Sequence, residues 1–147
     1  MTMIEEIIKE KTSADHLLYV SLKYTKTGDV ILNLLSRWKS LMELSFDFLI
    51  ADKIEKGKIP REPASPKERI EFMKKYFKKQ IAIQDAIPLY VFFKRVPGLP
   101  KSRVGEFRKN VALNVKMPNE IVIINMEKLA EYSEVLDRFV NVIKTFA

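Results

Sequence analysis

The chain has 147 residues, of which 47% are hydrophobic, and this is enough for a single domain with a packed core. It contains no cysteine, which excludes disulfide bonds and thiolate metal sites. No apolar run is long enough to span a membrane, and the N-terminal segment lacks the apolar stretch of a secretory signal. We therefore expect one cytoplasmic domain, residues 1–147, that does not bind membranes.

The formal net charge is +7, and the positive excess lies in residues 67–116. This segment has thirteen basic side chains against four acidic ones, whereas acidic residues slightly outnumber basic ones in the rest of the chain. Such an asymmetry indicates a surface that meets a negatively charged partner.

The N-terminal part predicts two short helices. Residues 1–11 form the first, with apolar positions on one face, and Thr12 or Ser13 caps a second that ends near Tyr24. The alternative is one kinked helix. Gly28 then separates this region from the next element.

Residues 29–56 predict a long central helix, because apolar residues recur at the helical period and no proline interrupts them. The apolar face is too wide for a surface helix, so we expect this helix to be mostly buried. Residues 57–66 follow as a proline-rich link, and Ser65 before Pro66 predicts the start of a helix over 66–83.

Residues 85–96 suit either a helix opened by Pro88 or a buried strand, and we favour the helix. Ser102 is expected to cap a helix that runs through Leu113. Residues 119–125 are β-branched and could be extended, and Asn125 then caps the last helix. The sequence thus predicts an all-α bundle of five to six helices around the central one.

No pattern in the chain indicates catalysis, a metal site or a cofactor. The single histidine, His16, has no second histidine or ligand-spaced carboxylates with which to bind a metal, and the scattered glycines form no phosphate-binding loop. We read His16 as a surface residue and expect no enzyme activity.

The basic segment predicts a nucleic-acid interface. Lys74, Lys75, Lys78 and Lys79 recur at helical spacing and would form one positive strip on the helix over 66–83, which phosphates would neutralise. The candidate phosphate-binding residues are Lys74, Lys75, Lys78, Lys79, Lys94, Arg95, Arg103, Arg108 and Lys109. Tyr76 and Tyr90 are candidates for base stacking, and Phe107 has the spacing of a core residue.

The alternative partner is an acidic protein or a second copy of the chain. The last helix carries Val135, Val140 and Val142 beside its main apolar stripe, which predicts an apolar patch for such a partner.

The proposed bundle resembles the HEPN-like domains of archaea and bacteria. Residues 13–27, Ser-Ala-Asp-His-Leu-Leu-Tyr-Val-Ser-Leu-Lys-Tyr-Thr-Lys-Thr, and Glu106-Phe107-Arg108 are similar to a group of small archaeal proteins. HEPN ribonucleases use an arginine followed after four to six residues by a histidine, and no arginine precedes His16. The resemblance therefore implies a non-catalytic member used for binding or dimerisation, with a HEPN-like ribonuclease as the second alternative.

Overall fold

The computed structural model describes all residues from Met1 to Ala147. In chain order the helices are α1 (Met3–His16), α2 (Leu22–Tyr24), α3 (Gly28–Glu55), α4 (Pro66–Tyr76), α5 (Ile81–Arg95) and α6 (Met126–Lys144). The strands are β1 (Lys101–Val104), β2 (Ala112–Lys116) and β3 (Ile121–Asn125). The protein is thus mostly helical with a small sheet, and the prediction of a purely all-α fold is wrong.

α1 and α2 form one bent helix. A π-helical turn at Leu17–Ser21 joins them without a break, which confirms the alternative of a single kinked helix. The predicted cap at Thr12 does not form, because its hydroxyl donates to the Ile8 carbonyl at 3.0 Å inside the helix. An ion pair between Lys11 and Asp15, at 2.7 Å, spans the position at which the sequence predicts two separate helices.

α3 is the central helix, and its predicted extent is confirmed. Thr27 caps it by accepting from the Val30 N–H at 3.3 Å. α1, α4, α5 and α6 all contact it, and Trp38 is fully buried within this arrangement. The Trp38 ring stacks on Phe93 of α5 at a centroid distance of 5.8 Å and meets the edge of Tyr132 of α6. The wide apolar face of α3 is therefore covered by other helices on several sides.

α4 begins where the sequence predicts but ends earlier. Ser65 caps it by accepting from the Glu68 N–H at 3.1 Å. The helix stops at Tyr76 instead of residue 83, because Phe77 leaves the helical conformation and its ring enters the core. The Gln84 side-chain amide donates to the Phe77 and Met73 carbonyls, at 2.9 and 3.2 Å, and so satisfies acceptors at the helix end.

Residues 81–95 form α5, which confirms the helix favoured for this region. It begins earlier than expected, so that Pro88 lies inside the helix with its ring exposed, rather than at the start. α5 runs antiparallel to α3, since Tyr90 contacts Phe46 while Phe93 contacts Trp38.

The helix predicted from Ser102 through Leu113 is wrong. Residues 101–104 and 112–116 are instead β1 and β2, which form a hairpin connected by residues 105–111. With β3 they make a three-stranded antiparallel sheet in the order β1-β2-β3. Leu113 and Val115 alternate with more exposed residues and bury one face of β2 against the helices, as a half-buried strand requires. β3 confirms the extended alternative for 119–125, and Asn125 caps α6 by accepting from the Lys128 N–H at 2.8 Å.

None of the helices combines the length and the apolar character needed to cross a lipid bilayer.

Glu68 provides a titration test of the start of α4. The Arg61 guanidinium and the Ala64 N–H both donate to its carboxylate and lower its pKa to about 2. Because the folded state binds this proton more weakly than the unfolded chain, the contribution to stability is present above pH 4.5 and is lost as the pH falls towards 2. We expect NMR titration of the Glu68 side-chain carbon to give a midpoint near 2.

The variant Arg61→Gln should raise that midpoint towards the ordinary value of 4.5. Lys58→Gln, which removes an exposed cation from the same link without touching Glu68, is the control and should leave the midpoint unchanged. An ordinary midpoint in the wild-type protein would contradict the described contact.

Candidate nucleic-acid interface

The four lysines near the end of α4 do not form a strip on one helix. Lys74 and Lys75 lie in the last turn of α4, whereas Lys78 and Lys79 lie beyond its end in the turn before α5. All four are exposed, and none has a carboxylate partner. We call Lys74, Lys75, Lys78 and Lys79 the turn cluster.

The turn cluster lies at one end of α3, and Arg103, Arg108 and Lys109 of the β1–β2 hairpin lie at the other. Lys53, near the C-terminal end of α3, places its Nζ 5.3 Å from the centre of the Phe77 ring in the turn after α4. Arg103 of β1 pairs with Asp29 at the N-terminal end. At a rise of about 1.5 Å per residue, Asp29 and Lys53 are about 36 Å apart along the helix. The nine candidate residues therefore do not form one strip.

Lys94 and Arg95 occupy the last turn of α5, where positive charge complements the helix dipole. Both side chains are exposed and make no ion pair. The neighbouring Phe93 stacks on Trp38, so this pair lies alongside the N-terminal half of α3, between the two ends.

Arg103 is committed to contacts within the protein. Its guanidinium donates to the Asp29 carboxylate at 2.5 Å and lies 3.8 Å from the Glu106 carboxylate. Its aliphatic carbons lie over Gly28, so closely that a Cβ at this position would be 2.6 Å from the Arg103 Cγ. Arg103, one of the nine candidate phosphate-binding residues, thus holds the hairpin on α3 through contacts within the protein.

The connection between β1 and β2 is a turn docked on Lys26 and on Gly28, the first residue of α3. The Phe107 N–H donates to the Lys26 carbonyl at 2.6 Å, and the Glu106 carboxylate accepts from the Gly28 N–H at 3.3 Å. Gly105 adopts a positive φ of 64°, which glycine tolerates. Phe107 also has a positive φ, 63°, which is unusual for a bulky side chain.

Phe107 is a functional candidate that the sequence interpretation missed. Its side chain is 76% exposed, although its spacing predicted a core position on a helix. The next residues, Arg108 and Lys109, are exposed and have no carboxylate partner. Gly105 and Asn110, which bracket the turn, are typical turn residues and were the available sequence signal.

A second exposed aromatic residue lies on the segment to which this turn is docked. Tyr24 is 78% exposed, and the Lys23 Nζ lies 5.8 Å from the centre of its ring. The Lys26 Nζ donates to the Lys23 carbonyl at 2.5 Å, which holds the segment together. We define the tip cluster as Lys23, Tyr24, Lys26, Phe107, Arg108 and Lys109.

Of the two tyrosines predicted as stacking platforms, Tyr90 is excluded by burial. It is 1% exposed, and its hydroxyl donates to Glu43 at 2.8 Å and accepts from Arg69 at 3.0 Å. Burial, and then the contact with Glu43, raises the pKa of Tyr90. Tyr76 is half-buried and packs edge-on against Phe72, so only part of its ring is accessible.

His16 ends α1 with an exposed side chain that forms no hydrogen bond or ion pair. Its acidic neighbour Asp15 is bound by Lys11 instead. No group of three or more histidine, aspartate or glutamate side chains is placed to hold a metal ion.

Comparison of the chain with protein-family models, with curated proteins and with solved structures finds no match in any of the three.

Proposed function

We propose that this protein is a non-catalytic binding module that contacts the phosphates of nucleic acid. The observation that carries the proposal is the tip cluster, in which Arg108 and Lys109 stand unpaired beside an exposed aromatic ring. Some cations elsewhere in the chain, such as Arg37, Lys56 and Arg61, are neutralised by neighbouring carboxylates. The unpaired lysines of the turn cluster have only the half-buried Tyr76 ring beside them. Unpaired basic groups next to exposed rings are typical of surfaces that bind nucleic acid.

The acidic groups near the tip cluster support the same interpretation. Glu106 is occupied by the Gly28 N–H and lies near Arg103, while Asp29 is paired with Arg103. These carboxylates are thereby engaged within the protein and repel a polyanion less than free ones would. The turn cluster is a separate basic region, because a ligand would have to extend about 36 Å along α3 to reach both.

Charge reversal at each end tests the function and its location. The variant Arg108→Glu/Lys109→Glu should weaken nucleic-acid binding at least about tenfold and make the plot of log K against log salt less steep by about 2, since two phosphate contacts are lost. Fluorescence anisotropy with labelled RNA and DNA across a salt series measures both quantities. Circular dichroism checks folding.

The matched control is Lys78→Glu/Lys79→Glu, which makes the same change of charge at the other end of α3. It should change affinity much less than the tip variant. Equal losses in the two variants would contradict the tip location, and salt-independent binding or no binding by the wild type would refute the proposed function. The cytoplasmic location and the HEPN-like resemblance stay predictions.

The second candidate function is binding of another protein, and the outer face of the sheet favours it. Val104, Ile121 and Ile123 point to this face and are 43%, 61% and 51% exposed. Val104 and Ile123 line a concavity of about 400 Å³, and Ile121 lines another of about 250 Å³. The buried Asn114 Oδ1 on the same face has no hydrogen-bond partner. On α6, Val140 is buried and Val135 and Val142 are partly buried against the core, so the sheet supports an apolar docking surface better than the patch predicted there.

Ile123→Lys tests this second function. β3 is an edge strand whose residues 121–125 carry no charge, so it lacks the lysine that commonly protects such edges from pairing. If the chain forms a dimer through this face, light scattering should show a dimer for the wild type and a monomer for Ile123→Lys. Ile81→Lys, at a similarly exposed isoleucine on α5, is the control. A wild-type protein that is monomeric at high concentration would exclude the dimer.

A further inference from the structure

Phe107 combines an unfavourable backbone conformation with an exposed ring. A left-handed backbone is unfavourable for a residue with a side chain, and Phe107 has a φ of 63°. The ring is 76% exposed, so it adds little to the core. Asparagine or glycine would suit this turn better. A strained, exposed aromatic residue points to a functional role for the ring.

The surrounding turn leaves the backbone of Phe107 little freedom to relax. Its N–H is bonded to the Lys26 carbonyl, and the preceding residue, Glu106, is tied to Gly28. On the other side, the Arg108 N–H donates to the Gly105 carbonyl at 2.9 Å. The ring is thus presented to solvent from a fixed backbone, which lowers the entropic cost of binding a flat ligand.

Tyr24 provides a second exposed ring, on the segment that the Phe107 backbone contacts. Because successive Cα atoms are about 3.8 Å apart, the Tyr24 Cα lies within about 8 Å of the Cα of Lys26, whose carbonyl accepts from Phe107. Lys23 and Lys26 lie next to Tyr24 in the chain, and Arg108 and Lys109 follow Phe107, so each ring has two basic residues near it in the sequence.

We propose that the tip cluster binds single-stranded nucleic acid by stacking an unpaired base on Phe107. Arg108 and Lys109 contact the flanking phosphates, and Tyr24 offers a stacking surface for a second base. This inference rests on the proposed nucleic-acid binding and adds the class of ligand. A duplex hides the faces of its bases, so only a single strand, a loop or an end can use these rings.

Oligo-dT, oligo-U and a DNA duplex of matched length are the probes for this inference. In fluorescence anisotropy, the wild-type protein should bind the single strands more tightly than the duplex. Phe107→Asn should weaken single-strand binding by about 5- to 150-fold, the effect of one lost stacking contact. It should change duplex binding little, because phosphate contacts remain.

Two control variants separate stacking from structural effects. Phe107→Tyr keeps an aromatic ring and should bind single strands as the wild type does. Ile81→Asn removes an exposed apolar side chain of similar accessibility, 75%, at the turn-cluster end and should also bind normally. Asparagine tolerates a positive φ, so Phe107→Asn should remain folded, as thermal unfolding will verify.

A spectroscopic readout reports stacking directly. With 2-aminopurine placed within the single strand, the wild type and Phe107→Tyr should change the fluorescence of this base on binding, whereas Phe107→Asn should leave it near that of the free strand. The oligo-dT and oligo-U arms show whether DNA or RNA is preferred.

The outcomes distinguish this inference from the proposed function. Salt-dependent binding with equal affinity for duplex and single strand, unaffected by Phe107→Asn, would overturn the stacking inference and leave phosphate binding intact. Failure of the wild type to bind any of the three probes at low salt would overturn both.

Discussion

Contacts between the β1–β2 hairpin and the start of α3, together with the burial of Leu113 and Val115, fix the position of the sheet. The Gly28 N–H, a donor without an intrahelical partner, is satisfied by the Glu106 carboxylate, and this negative group also complements the helix dipole. Arg103 joins Asp29 and Glu106 while its carbon chain covers Gly28, where a Cβ would leave no room. These contacts connect residues 74 to 78 positions apart in the sequence.

Two consequences for function follow from this docking. The Phe107 backbone is held against the Lys26 carbonyl, so the exposed ring and its neighbouring cations have a defined position. The same contacts place these groups at the opposite end of α3 from the turn cluster. The molecule thus has two basic regions separated by the length of its central helix, and only the tip cluster combines charge with two exposed rings.

The elements that the sequence predicts well are those specified by local patterns. α3 follows from an uninterrupted helical period, and α4 and α6 begin at Ser65 and Asn125, whose side chains satisfy backbone donors three residues away. The favoured helix over 85–96 is also correct, although Pro88 is not at its start.

The hairpin was mispredicted because its determinants are not local. Phe107 and Val111 are four residues apart and imitate a helical face, whereas the contacts that decide the structure of this segment are with residues 26–29. The end of α4 is likewise set by Gln84, which reaches back from α5 to the Phe77 carbonyl. The basic composition of 67–116 could be read from the sequence, but the separation of its lysines could not.

Hydrogen exchange at the Phe107 amide tests most directly whether the hairpin is docked on the residues around the start of α3. Its N–H lies in an exposed turn yet donates to the Lys26 carbonyl, so hydrogen exchange measured by NMR should show clear protection. The Lys109 N–H, in the same turn and without a backbone acceptor, is the internal reference and should exchange rapidly. Protection at Phe107 that is lost in Glu106→Ala/Asp29→Ala is the predicted result. Exchange at Phe107 as fast as at Lys109 in the wild type would contradict the docking of the hairpin, and with it the defined position of the tip cluster.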